Sequence, residues 1–235
     1  MSWKRSENVG FPQIWHTFEA KDPDSGQSVK YRVQDLPEDR YDEVLDLMKY
    51  IFLKEEILAV AFDHHTDPRE RKMDFWSNVL NKKLSVVCFK EGSDEICGFN
   101  ILEVIQKEDK PKELPDQKVL DITKVLNFVK EKSDIFNRYG VEEYLYGVGL
   151  LIIPKYRGLG LSTEILRARI PLGKALGFKV TSTAFTGTAS QKAASRAGFI
   201  EDFSILYGDL ANKEPFVTVP NVASETLKFM SLRIE

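Results

Sequence analysis

The chain has 235 residues, 43% hydrophobic and 29% charged, with a formal net charge of −3. This is the balance of a soluble globular protein with a sizeable core. Its Lys and Arg residues are scattered without a basic block, which argues against a nucleic-acid partner or an anionic membrane surface.

The opening, MSWKRSENVGFPQIW, lacks the apolar core of a signal peptide. No apolar run reaches bilayer length, and the longest, around LLII, is strand-sized. Cys88 and Cys97 come with no CxxC or Cys/His set at metal spacing, so the expectation is ordinary strand cysteines in a reducing, cytoplasmic setting.

IWHTFEAKDPDSGQSVKYRVQDL places two β-rich runs around DPDSG and predicts a hairpin. In LPEDRYDEVLDLMKYIFLKEEIL, Val44, Leu45, Met48, Ile51 and Phe52 recur at helical spacing behind a proline and acidic residues suited to a helix N-terminus. TDPRERKMDFWSNVLNKK offers Asp67 as an N-cap and Pro68 at the first helical position, with Met73, Trp76 and Leu80 on an apolar face. LSVVCFKEGSDEICGFNILEVI is the clearest hairpin. A polar connection over 106–118 leads to a helix around VLDITKVLNFVKEKSDIF. The strand EEYLYGVGLLIIP then runs into KYRGLG and the helix LSTEILRARI, which Pro171 should end or kink. A strand (FKVTSTAF), a short helix (SQKAASRAG) and a strand (FIEDFSILYGDL) follow. The tail beyond Pro220 has no assignment.

The sharpest local feature is LLIIPKYRGLGLSTEIL. An apolar strand is interrupted by Pro154, then come Gly158 and Gly160, then a helix opening with Ser162 and Thr163. Glycines let amides turn toward one point, and a helix N-terminus adds its positive dipole end. That suits a pyrophosphate, with Arg157 adding charge-assisted contacts; the same residues also suit a plain strand-to-helix turn. A Walker loop needs Lys where Leu161 stands. The dinucleotide fingerprint needs Gly where Thr163 stands, and an acid near Lys179 to Thr181.

Lys155-Tyr156-Arg157-Gly158-Leu159-Gly160 resembles motif A of the GNAT superfamily, Q/R-x-x-G-x-G/A, with Lys in the first place. Ala197-Gly198-Phe199 resembles the end of its motif B. Together with DEVLDLM and FLKEEIL, these make residues 30 to 210 similar to the insect arylalkylamine N-acetyltransferase group and its agmatine- and polyamine-acetylating relatives. The resemblance implies an α/β GNAT fold, a single mixed central sheet flanked by helices. It implies one domain: an N-terminal extension over 1–30, a core over 30–210 and an unassigned tail. It also implies acetyl-CoA as co-substrate, a small primary amine as acceptor and a direct ternary complex. The His64-His65 pair has no third ligand at metal spacing, so no metal is expected.

Arylalkylamines come first by this resemblance. Agmatine or a polyamine comes second, since Glu55, Asp63 and Ile57 (in place of the group's usual proline) would favour a second positive charge. A protein acetyltransferase and a non-catalytic acyl-CoA-binding module are the remaining alternatives, and the oligomeric state is open.

The reaction needs a base for an amine that arrives as ammonium, and donors for the thioester oxygen. By resemblance the base is Glu56, late in its helix; the bare residues also allow Glu55 and Glu56 as a solvated pair. The backbone of Leu151, Ile152 and Ile153 would pair with the pantetheine arm like an added strand. Lys155, Arg157, Gly158, Leu159, Gly160, Leu161 and Ser162 would hold the pyrophosphate, and Lys192 would meet a coenzyme A phosphate or solvent. Many members place a Tyr as acid where this chain has Ala194. The insect group's two hydroxyl positions fall on Thr186 and Ser190; Ser190 equally suits a helix N-cap, and water is a third proton source. Phe62, His64, His65, Trp76, Phe185 and Phe203 are candidates for an amine pocket or for plain core.

Overall fold

Two runs of alternating side chains close the first hairpin. Strands β1 (Ile14–Lys21) and β2 (Ser28–Asp35) pair antiparallel, and Asp22 Oδ1 accepts from the Asp24 and Ser25 amides in the turn between them. The computed structural model describes residues 3–63, 70–109 and 117–235, without the side chains of 70–73 and 117–119. His64, His65, Asp67, Pro68 and part of the 106–118 connection therefore lie outside the described residues.

The helix predicted to run through Glu56 is broken there. It consists of α1 (Tyr41–Leu47), a π-helical turn (Met48–Phe52) and α2 (Leu53–Glu55). Glu56 is extended, with φ −66 and ψ 127, and α3 (Ile57–Ala61) follows. The cause is local: the Glu56 carboxylate accepts from the Ala59 amide at 2.7 Å, capping α3. Ile57 occupies the first helical position, where a proline would fit without loss of a hydrogen bond.

Next come α4 (Glu70–Leu80), with Trp76 and Leu80 buried, and the hairpin of β3 (Val86–Lys90) and β4 (Ile96–Gln106). Cys88 and Cys97 are free and buried in it. Helices α5 (Gln117–Ser133) and α6 (Ile135–Tyr139) lead to β5 (Glu143–Ile152). Helix α7 (Leu161–Arg167) yields to α8 (Arg169–Leu176) at Ala168, so the break falls ahead of Pro171, which sits in the first turn of α8 where its missing donor matters least. After β6 (Val180–Phe185), α9 (Thr188–Ala197) starts from Gly187 as its N-cap and not from Ser190. Strand β7 (Ile200–Leu206) and β8 (Thr226–Arg233) finish the chain.

The described strands form one sheet in the order β1-β2-β3-β4-β5-β6-β8-β7. Every neighbouring pair is antiparallel except β5 and β6. The unassigned tail thus supplies an interior strand, with Leu227 and Phe229 fully buried. Helices α7 and α8 cover one face over Tyr31, Val33, Leu102 and Leu145. The other face is covered by α1 and α4 over Val87 and Phe99, and by α5 over Tyr144 and Phe229. No described helix is long and apolar enough to cross a membrane.

Candidate active site

Strands β5 and β6 pair only at Leu145 with Thr181 and at Tyr146 with Ser182. Beyond that vertex β6 stays bonded to β8 through Phe185, and β5 stays bonded to β4 through Ile152, so the two strands part. The β4–β5 register slips where Ile101 faces Gly149 and Leu102 faces Gly147, which makes Val148 a bulge at the vertex. The Ile153 amide donates to Cys97 O. Antiparallel alternation then bonds Leu151 to β4 and turns the backbone of Leu150 and Ile152 toward the cleft. Of the residues singled out here in the sequence, Ile152 faces the cleft; Leu150 had no sequence signal, because the parity of a ladder is set by pairing.

At the open end of the β5 arm, Gly158 and Gly160 have φ of 77 and 87 with open space where a Cβ would stand. These left-handed positions turn successive amides ahead of α7, whose Leu161 is buried and Ser162 half-buried. Lys155 pairs with Glu95 at 2.9 Å, and its ammonium, with the Tyr156 hydroxyl, holds the Glu95 carboxyl below its ordinary range. Arg157 donates to Ile152 O and grips both oxygens of Glu55, at 2.5 and 3.3 Å. Lys192 is exposed on α9.

The Glu55–Glu56 break spans the mouth of the cleft. Glu55 reaches Arg157 on the β5 arm, while Glu56 Oε1 accepts from the Thr186 hydroxyl at 2.8 Å on the β6 arm. Tyr207, just after β7, donates to Thr186 O at 2.9 Å, and burial pushes its phenol well above the usual range. Ser190 donates to Gly187 O at 2.8 Å, so its hydroxyl closes the first turn of α9. From the opposite side, Met48 and Phe52 pack on Gly149, and a Cβ there would stand 2.9 Å from the Met48 methyl.

The aromatic candidates divide. Trp76 packs edge-on against Phe52, and Phe185 against Phe199, both inside the core. Phe62 is half-buried at the end of α3 and packs with the α5 cluster. Phe203 meets Phe128 edge-on and lines a cavity of 520 Å³ between α5 and β7. Among the described residues, no group of His, Cys, Asp and Glu is arranged for a metal.

No protein-family model and no curated protein matches this chain. A solved structure does: the candidate arylalkylamine N-acetyltransferase 7 of the yellow fever mosquito Aedes aegypti is 44% identical with a TM-score of 0.95, over 99% of this chain and 100% of that one. The chain belongs to the insect arylalkylamine N-acetyltransferase group of the GNAT superfamily. It is an N-acetyltransferase. Two further structures share its fold: arylalkylamine N-acetyltransferase 2 of Aedes aegypti (23% identity, TM-score 0.78, 87% of this chain and 99% of that one) and Drosophila melanogaster polyamine N-acetyltransferase (18%, 0.71, 86% and 99%), which forms N-acetylagmatine.

For an acetyltransferase of this group, two features of the site had no sequence signal. Tyr207 lies in an ordinary-looking SILYGDL and becomes part of the site because β7 ends beside Thr186. Arg169 lies in LRARI, where it reads as one more helix charge. It is instead fully buried, pointing from α8 into the vertex of the cleft, and burial draws its guanidinium down to about 9.

Proposed function

We propose that this acetyltransferase transfers acetyl from acetyl-CoA to a small primary amine of the arylalkylamine type, with Glu56 as general base in a ternary complex. The observation that carries the reading is the pair of carboxylates across the cleft mouth, with Glu56 oriented by Thr186 and by the Ala59 amide. The cleft-facing edge of β5 at Leu150 and the Ile152 amide, whose carbonyl already accepts from Arg157, suits the pantetheine arm. The amides from Arg157 to Ser162, with Lys155, suit the pyrophosphate. Lys192 is the candidate for a further phosphate.

Glu56 takes one proton from the ammonium and passes it to solvent. The nitrogen then bonds to the acetyl carbonyl carbon, gives its second proton to the emptied carboxylate, and the carbon–sulfur bond breaks. The sulfur leaves as thiolate and takes a proton from solvent, or from the hydroxyl of Thr186 just past β6 or of Ser190 in the first turn of α9, which solvent then restores. Arg157 already neutralises Glu55, the acid beside the base. That favours an amine with one positive charge over a polyamine.

Coenzyme A release from acetyl-CoA tests both parts, with tyramine, dopamine, serotonin, agmatine, spermidine and a lysine peptide as acceptors. We expect an aromatic ethylamine to be fastest, and Glu56→Gln to lower kcat by about 100-fold while acetyl-CoA still binds. Preference for agmatine or spermidine would replace the substrate class, and undiminished turnover by Glu56→Gln would remove the base.

A further inference from the structure

Arg169 has no solvent exposure, and its hydrogen-bond partners among the described residues are all neutral. Its Nε donates to Asn100 Oδ1 at 2.8 Å, and Nη1 donates to Thr183 Oγ1 at 2.8 Å, Thr181 Oγ1 at 3.3 Å and Ser182 O at 3.4 Å. Its guanidinium lies 5.6 Å from the Phe199 ring centre, and Nη2 is buried with no hydrogen-bond partner among the described residues. Burying a charge without a counter-ion opposes folding by several kcal/mol. A neutral side chain could fill this space, so the charge and its fork of donors call for a use.

Their placement indicates one. Asn100, also fully buried, passes the contact on: its amide donates to Gly149 O at 2.6 Å, the residue just past the Val148 bulge. Nη2 lies against Gly147, where a Cβ would collide with it and with Thr183 Oγ1. Gly147 therefore admits the guanidinium between the strands at the point where β5 and β6 stop pairing. One side chain from α8 thus ties β4, through Asn100 the bulge of β5, and the first residue of β6 past its pairing with β5.

We propose that Arg169 is a positioning residue for acetyl transfer: through Asn100 it fixes the Val148–Gly149 bulge, and so aims the cleft-facing amides of β5 at the acetyl carbonyl. It touches neither substrate. The proposal rests on the thioester lying in the β5/β6 cleft, as in the function proposed above. A donor misplaced by about 1 Å at such an oxygen lowers turnover by about 100-fold.

The test compares wild type, Arg169→Lys, Arg169→Met and Thr183→Val, the last leaving the charge but removing one of its short bonds. Binding of acetyl-CoA to each protein by calorimetry comes first. We then expect kcat to fall at least about tenfold in Arg169→Met, with KM for acetyl-CoA within about threefold of wild type and partial rescue in Arg169→Lys. Infrared difference spectra of bound carbonyl-labelled acetyl-CoA should show the thioester band below its free position in wild type and back toward it in Arg169→Met. If Arg169→Met does not fold, Thr183→Val must show the same change in kcat and band, in smaller measure. Folded variants with unaltered kcat and band position would overturn the proposal and leave Arg169 a structural tie. A wild type that binds acetyl-CoA yet shows no shifted band would overturn it too. Failure of Glu56→Gln to lose activity strikes the assigned base and leaves these readouts intact.

Discussion

A carboxylate that removes a proton must be held in place, and Glu56 is held twice, by the Ala59 amide and by the Thr186 hydroxyl. The second contact comes from another part of the chain, so it fixes the break between α2 and α3 to the β6 arm. Thr186 in turn receives the Tyr207 hydroxyl on its carbonyl oxygen. Removing the Thr186 hydroxyl leaves the Ala59 cap intact but frees one carboxylate oxygen to rotate away from the cleft. Thr186→Ala should therefore lower kcat by about tenfold with little loss of stability, and Thr186→Ser should recover most of it. Steady-state kinetics with the preferred amine, beside a thermal melt, check this. Equal kcat in Ala and wild type would show that the cap alone orients Glu56.

Elements show where sequence reading reaches and where it stops. The hairpins were legible because period-two runs flank short turns rich in Gly, Ser and Asp, and the glycine loop because φ above zero favours glycine. The break at Glu56 was not, because Val44 to Phe52 keep helical spacing up to it and a glutamate cap looks like any other charge. Sequence places the start of α9 too late for a similar reason: Gly187 caps it, while Ser190, the better cap by type, lies in its first turn.

The first hairpin carries a prediction of its own. Lys90 on β3 meets the turn's Asp22 at 2.8 Å, and that ammonium, followed by the Ser25 amide, holds the Asp22 carboxyl far below its ordinary range. The unfolded chain binds this proton near pH 4, the folded chain only well below it. The stabilisation is complete above about pH 4 and is lost as pH falls toward the folded value. Urea unfolding between pH 5 and pH 2 should show a shallower acid loss in Asp22→Asn than in wild type. Parallel curves would place the acid sensitivity elsewhere.

At the scale of the molecule, the cleft exists because the sheet is shared unevenly. Strand β6 can leave β5 after Ser182 because β8 bonds it along its other edge, from Val180–Arg233 to Phe185–Lys228. Strand β8 comes from the tail that had no sequence assignment. It is an interior strand with Leu227, Phe229, Met230 and Ser231 all buried, so strict alternation is lost and the usual strand signal goes with it. The last strand in the chain therefore braces one arm of the site. Phe229, fully buried and stacked near Tyr146 with ring centres 6.1 Å apart, is the residue to test. Phe229→Ala removes a large core side chain and should cost about 3–5 kcal/mol, roughly a 10 °C drop in melting temperature for a domain of this size. Lys228→Ala, on the same strand and paired with Glu201 at the surface, should cost under about 1 kcal/mol. If β8 only closes the core, residual activity at low temperature should match wild type in both variants. If it braces the cleft, Phe229→Ala should also raise KM for acetyl-CoA at temperatures where it is still folded.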